Sequence, residues 1–384
     1  MFTKSNTFEQ IMNTEPIQKA INNLFPSCWL NRIPPDHITH TMQQIESEDT
    51  MEWGVPFISD AFIECANILM ETSKNNRFLF IPLWNPQSEN WIPDSDLNCA
   101  DSVWLFTGNP DTDITAFAHT AGNSSIPPYP SDAVPENHKN RSIRPAAIIC
   151  PGGGYEMISS YSEGIQLAQR MERDGGYKAF ILNYRITPNY YPLPQMDLAL
   201  AILHVRAHAK QYQIDPNQIV VIGSSAGGHL CASEAYLHSF LKQKVLAELT
   251  NQAVNPDILQ KYQNCSAKPD AISLLYLVIS FLSECHEGSY FALAGQQADL
   301  REALSVETHI TCDYPPTYAF ANEDDDCVPA SNTKRLEQAL CKANIPHLCQ
   351  IFPTGGHGVG LGYGESCKTW SEHMLRFLEQ TFSQ

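Results

Sequence analysis

The chain has 384 residues, 43% of them hydrophobic, with 42 acidic against 24 basic residues and a formal net charge of -18. That is ample material for a packed core, and so acidic a surface repels phosphate backbones, which argues against nucleic-acid binding. No apolar run reaches the roughly 18 residues of a membrane helix, the first residues lack an apolar leader core, and the 12 cysteines contain no C-x-x-C pair, so a cytoplasmic chain with reduced thiols and no structural zinc is expected.

Residues 1–95 differ in texture from the rest. Stretches 8–25 and 55–73 carry helix-like apolar spacing, 77–84 has the pattern of a strand, and Trp29, Trp53, Trp84 and Trp91 all fall here. This predicts a mainly helical N-terminal extension serving as a lid, a sheet-edge element or a dimerisation element, and so leaves a homo-oligomer open. Residues 96–384 then form the principal domain. Strands are expected at 102–106 and 113–119, followed by an exposed loop rich in Pro, Ser and Asn at 121–142.

From Arg144 onward, short apolar strands alternate with helical patterns. Strands are predicted at 144–150, 178–186, 218–223, 270–280, 315–323 and 347–352. Helices are predicted at 161–175, 198–212, 229–241, 331–344 (opening at a Ser331 cap) and 367–382. Such alternation implies crossover connections and a mostly parallel central sheet with helices on both faces, the α/β class. Ligands in such sheets bind beyond the carboxyl ends of the strands, so the loops that follow strands carry the chemistry.

One such loop is "GSSAG", Gly223 to Gly227, between an apolar strand and a helix. A strand, G-x-S-x-G and a helix form the pattern of a strained turn that exposes a nucleophilic serine, here Ser225. Side chains two residues on either side would collide, and glycine removes them. A second loop, "CPGGGY" (150–155), follows an earlier strand. Its glycines let backbone amides approach a reacting carbonyl, so the amides of Gly153 and Gly154, with that of Ala226, are the candidate oxyanion donors. Esterases with such a loop often carry a histidine where Pro151 stands.

A serine hydroxyl needs a histidine to take its proton, and the histidine needs a carboxylate to orient it. The loop 352–362 offers His357 among glycines, and the loop 320–329 offers Glu323, Asp324, Asp325 and Asp326. The acidic run lacks the spacing of a calcium loop. His204 and His208 stand four residues apart on a helix, but the intervening residues carry no general-base glutamate, so they are read as helix-surface residues rather than metal ligands. His229 is read as a packing or capping residue.

From about Asp113 to the C-terminus the chain resembles α/β-hydrolase esterases of the acetylesterase and acetylxylan-esterase-like group. The stretches that carry the likeness are "RPAAIICPGGGY", "LNYRITPNYYPLPQMDLALAILHVR", "IDPNQIVVIGSSAGGHLCAS", "SVETHITCDYPPTYAF", "EDDDCVP" and "IFPTGGHGVGLG". The resemblance implies the α/β-hydrolase fold, with Ser225 as nucleophile, His357 as base and Asp325 as acid, since x-x-Val-Pro follows the acid; Asp324 is held in reserve. A histidine usual near the end of the preceding strand is replaced by Ala321. The implied activity is hydrolysis of a short-chain ester, acetyl foremost, on a small molecule or an oligosaccharide, with no cofactor or metal and no membrane partner. Tyr155 and the segment 280–309 are expected to line the pocket; His286 and Tyr290 in that segment are candidates for contact with a sugar, weighed against the favoured reading of both as ordinary surface residues. A serine peptidase and a non-catalytic binding module of the same fold are the rival readings.

Overall fold

Eight strands form one sheet in the computed structural model of this chain, which describes residues 1–15, 36–48, 78–84, 103–108, 143–297 and 299–383, with Gln18, Phe62, Ile63, Ala66, Asn67, Leu69 and Met70. The strands are β1 (Phe78–Pro82), β2 (Trp104–Gly108), β3 (Arg144–Cys150), β4 (Lys178–Asn183), β5 (Ile214–Ser224), β6 (Ala271–Leu275), β7 (Thr317–Asn322) and β8 (His347–Phe352). Their spatial order is β1-β2-β4-β3-β5-β6-β7-β8. The β1/β2 and β2/β4 pairs are antiparallel and every other pair is parallel. The expected strand at 113–119, the loop at 121–142 and Trp29, Trp53 and Trp91 lie outside the described residues.

The helices are α1 (Phe8–Met12), α2 (Met42–Glu48), α3 (Gln166–Gly175), α4 (Leu193–Ala207), α5 (Ala209–Tyr212), α6 (Ser225–Asn251), α7 (Pro256–Gln263), α8 (Glu287–Ala294), α9 (Arg301–Leu304), α10 (Ser331–Ala343) and α11 (Trp370–Phe382). Period-two alternation along the buried strands separates two cores. Ala146, Ile148 and Cys150 of β3 join Val221 of β5 and Leu230 of α6 on one face, with Leu200 of α4 and Leu336 of α10. Ala147 and Ile149 join Ile222 and the α3 and α11 residues Met171, Trp370 and Met374 on the other. A third cluster packs Phe8, Ile11, Met42, Ile45 and Phe62 against Phe80, Trp104, Phe106 and Ile181 of β1, β2 and β4. The N-terminal segment therefore supplies both a strand and an apolar layer at the sheet edge. Pro82, which has no amide to donate, is tolerated because β1 is that edge.

The element boundaries that differ from expectation have local causes. Residues 161–175 open as a π-helix, Tyr161–Ile165, before becoming α3. Strand β6 stops at Leu275 because Tyr276 turns the chain at φ 35°, and the apolar residues that follow are buried loop rather than strand. Helix α6 begins four residues earlier than its apolar pattern suggested, at Ser225 itself, because its first turn is disguised by glycines. Ser331 is the first residue of α10 rather than its cap; Ala330 precedes it with no capping side chain. His204 is buried, not on the helix surface: Tyr262 Oη lies 2.9 Å from its Nδ1 and Tyr212 Oη 3.0 Å from its Nε2. Burial lowers its pKa to about 3, with His208 adding to the effect. His229 is also buried, with a pKa lowered to about 4 by burial.

Beyond the carboxyl end of β4 a buried charge fixes the chain to α4. Asp197 is fully buried and accepts from the Arg185 backbone at 2.8 Å, from Arg185 Nη2 at 2.6 Å and from Trp84 Nε1 at 2.6 Å. Burial pushes its carboxyl upward and Arg185 pulls it back. Removing one partner of such a pair leaves an uncompensated charge, which costs about 3–5 kcal/mol. Arg185→Ala is therefore expected to lower the unfolding free energy by that amount, seen as a lower urea midpoint at an unchanged m-value. The double replacement Arg185→Met/Asp197→Leu is expected to cost less than Arg185→Ala alone.

The two buried histidines set a pH dependence. In the window from about 6.5 down to about 4, the unfolded chain binds protons that the folded chain refuses, so stability falls as pH falls, by about 1.4 kcal/mol per pH unit for each histidine. Urea unfolding between pH 6.5 and 4.5 is expected to show a slope shallower by about one proton in His229→Gln than in the unaltered protein. Equal slopes would show that His229 titrates alike in both states.

Candidate functional site

The strand order reverses at β3: the chain moves out to β4 on one side and returns to β5 on the other. In open α/β sheets a crevice forms at such a point, outside the carboxyl ends of the strands. Cys150 and Gly223 are register partners there, so the loops that follow β3 and β5 leave the sheet side by side. These are the glycine run and the serine turn.

Ser225 stands at φ 51°, left-handed backbone that side chains other than glycine rarely adopt. Its neighbours show why the motif needs glycine. A Cβ at Gly223 would fall on the Gly227 carbonyl, and one at Gly227 would fall on the carbonyl oxygen of Cys150. The turn is thus pressed backbone against backbone onto the end of β3. Ser225 also opens the 27-residue helix α6, so the Ala226 amide lies in a first turn whose N–H groups have no partner within the helix and carry the positive end of its dipole.

His357 comes from the loop after β8. Its Nε2 lies 2.9 Å from Ser225 Oγ and its Nδ1 lies 2.8 Å from Asp325 Oδ2. Asp325 is buried, and its Oδ1 accepts from the amides of Cys327 at 3.0 Å and Val328 at 2.8 Å. The acidic run therefore resolves by burial. Glu323 is exposed and pairs with Lys334, and Asp326 is exposed. Asp324 is exposed too, and accepts from the amides of Gly355 at 3.2 Å and Gly356 at 2.9 Å. Asn322 adds a third anchor to the same loop, its Nδ2 donating to the Gly356 carbonyl at 2.8 Å. Ala321 is buried in β7, and the adjacent Asn322 does the loop anchoring.

The glycine run has two glycines at positive φ, Gly153 at 130° and Gly154 at 66°. Gly152 is different: its amide donates to Glu163 Oε2 at 2.7 Å, so it is committed inward. Tyr155 does not line an accessible pocket. Its side chain is fully buried and its hydroxyl lies 2.8 Å from His229 Nδ1. His229 Nε2 is 2.8 Å from the Leu304 carbonyl, which can only accept, so Nε2 carries the proton and Tyr155 donates to Nδ1. Tyr155 therefore anchors the end of the glycine run instead of meeting substrate. Tyr290 is likewise buried.

His286 is half-buried at the start of α8, where its Nδ1 accepts from the Ser289 amide at 3.2 Å and lies 2.8 Å from Ser289 Oγ. Ser289 Oγ is also the nearest group to a Cβ built at Gly154, at 3.9 Å. Burial lowers the His286 pKa, and His357 adds to that effect. With both neighbours donating to Nδ1, the neutral ring carries its proton on Nε2. Sequence reasoning missed Glu163, Tyr276 and Asn322; only Asn322 had a visible signal, its position at the end of the strand before the acid. Among the described residues no three His, Cys, Asp or Glu side chains converge to hold a metal ion, and no helix is long and apolar enough to cross a membrane.

The chain is similar to the endo-1,4-beta-xylanase B of Butyrivibrio fibrisolvens, at 28% identity over 74% of this chain and 43% of that protein. It is also similar to an acetylxylan esterase of Xylanibacter ruminicola, at 28% identity over 64% of this chain and 45% of that protein. The chain thus spans less than half the length of these two relatives. A solved acetyl ester-xyloside bifunctional hydrolase from Caldicellulosiruptor lactoaceticus superposes with a TM-score of 0.59 at 29% identity, over 78% of this chain and 95% of that one. The fold is that of the α/β-hydrolases. The BD-FAE family model matches residues 133–340, a span that holds the glycine run, the serine turn and Asp325, and since it is more than half of the chain, the protein belongs to the BD-FAE family.

Proposed function

We propose that the protein is a serine carboxylesterase that removes short acyl groups, acetyl foremost, from carbohydrate or small-molecule esters. The observation that carries this reading is the continuous hydrogen-bonded line from Ser225 Oγ through His357 to Asp325, at 2.9 and 2.8 Å, with the serine on strained backbone at the mouth of the sheet. The relatives named for acetylxylan and acetyl-ester hydrolysis support the acyl group and the class of alcohol.

In this mechanism the Asp325 carboxylate accepts a hydrogen bond from His357 Nδ1–H, which leaves Nε2 free to take the proton of Ser225 Oγ as that oxygen attacks the ester carbonyl. The tetrahedral oxyanion is held by the amides of Gly153, Gly154 and Ala226. A preorganised donor of this kind contributes about 3–4 kcal/mol to the transition state. His357 then gives its proton to the departing alcohol, and the acyl group remains on Ser225. Water, deprotonated by the same nitrogen, attacks the acyl-enzyme and releases the acid. His286 lies on the rim, next to Gly154, and its Nε2–H is a candidate donor to the alcohol portion of the substrate.

Hydrolysis of p-nitrophenyl acetate, butyrate and octanoate is expected to fall in that order, with Ser225→Ala reducing turnover of the acetate at least about 10⁴-fold. A preference for octanoate would reject the short-chain reading, and an active Ser225→Ala variant would reject the nucleophile.

We also infer that the N-terminal extension forms, through its described residues, an edge layer of the principal domain rather than a lid. The support is that β1 pairs with β2 and that Phe8, Ile11 and Phe62 cover Trp104 and Phe106. Deleting them exposes that apolar face, so the truncated chain is expected to aggregate or to lose its cooperative unfolding transition. A soluble, active 96–384 fragment would show that the layer is dispensable.

A further inference from the structure

Glu163 is a buried carboxylate that the acyl-transfer mechanism above does not use. It is 5% exposed and sits on the π-helix Tyr161–Ile165, under the site rather than in it. Both of its oxygens are engaged by groups that belong to other loops. Oε2 accepts from the Gly152 amide at 2.7 Å, and Oε1 accepts from the Tyr276 hydroxyl at 2.8 Å.

Each partner leads to a different part of the site. Gly152 opens the glycine run, and a Cβ there would lie 2.8 Å from Glu163 Oε2, 2.9 Å from the Ser224 carbonyl and 3.0 Å from Ser225 Cβ. The carboxylate, the glycine run and the serine turn therefore meet in a space that admits no side chain, and this close approach, not a positive φ, is what requires glycine at 152. Tyr276 leads to the histidine. Its ring stands edge-on to the His357 imidazole, with centroids 5.2 Å apart and planes at 70°. Burial and the nearby Glu163 push the Tyr276 phenol well up, and the Ser224 side chain and the Gly360 backbone pull it back. Gly360 in turn packs on the π-helix itself, since a Cβ built there would lie 3.5 Å from Ser162. Three loops that share no covalent continuity are thus tied to one another through one carboxylate and one phenol. π-Helical turns are found at functional sites more often than elsewhere, and this one places Glu163 beneath both halves of the site.

We propose that Glu163 is a positioning residue for the esterase chemistry, holding the glycine run through Gly152 and the His357 ring through Tyr276; this rests on the serine-esterase reading. The titratable groups that act on it are Tyr276, Tyr184 and His357, and Asp325 is bonded to the same imidazole. Burial pushes the Glu163 carboxyl upward, and Tyr276, Gly152 and His357 pull it back in that order. Mutation of groups that orient a site's working residues typically costs about 10–100-fold.

The test measures kcat, KM and the pH profile of kcat/KM on p-nitrophenyl acetate for the full chain, Ser225→Ala, Glu163→Gln and Tyr276→Phe, with thermal unfolding and near-UV circular dichroism of each. Glu163→Gln preserves shape but sets an amide against a donor. It is expected to lower kcat about 10–100-fold with KM changed less than about threefold. The acid limb of its kcat/KM profile is expected to move to lower pH, because a carboxylate that near favours a protonated imidazole. Tyr276→Phe is expected to lose about tenfold in kcat with little change in KM. If Ser225→Ala stays active, the serine-esterase reading itself fails, whatever Glu163 does. If Ser225→Ala is dead while a folded Glu163→Gln keeps kcat within about twofold, the positioning role is overturned. A lower kcat with an unmoved acid limb and a matching loss of stability reduces Glu163 to packing and also overturns it. Should Glu163→Gln fail to fold, Tyr276→Phe decides: kcat within about twofold overturns the role.

Discussion

Everything at this site depends on the backbone of Ser225 being held where a serine would not settle unaided. A residue at φ 51° costs of order 1–3 kcal/mol and persists only when its surroundings over-determine it. Those surroundings are β5, which lies in the middle of the sheet, and the opening of α6, whose residues from Ser225 to Ala235 are all buried. Gly227 lies against the Cys150 and Pro151 carbonyls, and Gly228 against Leu277. The elbow is therefore clamped by the end of β3 on one side and the exit from β6 on the other. The same clamp brings the glycine run within reach of the serine, so strain and site assembly have one cause.

A second constraint is how the core treats buried acids. Asp325 has two backbone amides on one oxygen and the histidine on the other, and Asp197 has a guanidinium and an indole. Glu163 has an amide and a phenol. Glu234, on α6, is fully buried with no hydrogen-bond partner at either oxygen, and burial pushes its carboxyl well up. The contrast shows what sustains a buried charge here. Donors must converge from separate segments, and wherever they do, those segments are locked together. At Asp197 the locked parts are Trp84 near the sheet edge, the β4 exit and α4, which is scaffold. At Asp325 and Glu163 they are the loops of the site.

Features governed by local chemistry were legible in the chain. β3 and β8 matched their expected bounds residue for residue: β3 because a strand buried on both faces of a parallel sheet is bounded by its own composition, and β8, a half-exposed edge strand, because Pro346 and Pro353 bracket it. Ser225 and His357 were singled out by glycine spacing and loop position, whereas Asp325 was picked from four adjacent acids only through the resemblance to the esterases, by the Val328-Pro329 that follows it; the structure brings the three side chains within hydrogen-bond distance of one another. What failed depended on non-local contacts. Tyr155 has the sequence position of a lining residue, yet its partner is His229, 74 residues away, and the pair draws the ring into the core. His204 sits on a helix whose outer face is covered by Tyr262 of α7, which no periodicity within α4 reveals. Glu163 sits in an ordinary-looking amphipathic stretch, and only the fold brings Tyr276 to it across 113 residues. The apolar run after Leu275 looked like strand because burial and strand are hard to separate by composition alone.

The histidine loop shows what two of the four acids in the run, Asp324 and Asp325, each do. A loop with Gly355, Gly356, Gly358 and Gly360 all at positive φ loses a large amount of conformational entropy when it is ordered. His357 must nevertheless keep two hydrogen bonds at once, one to each ring nitrogen. Two contacts at the ring cannot by themselves order the whole loop. The order comes from the end of β7 instead. Asn322 holds the Gly356 carbonyl, Asp324 holds the Gly355 and Gly356 amides, and Asp325 holds the ring. Trp370 adds a bond to the Gly360 carbonyl from α11 at 3.0 Å. Asp324 and Asp325 are thus not interchangeable candidates for one task. The exposed one restrains the loop's backbone and the buried one orients its side chain, and the division follows from the direction in which two successive residues point as the chain leaves a strand.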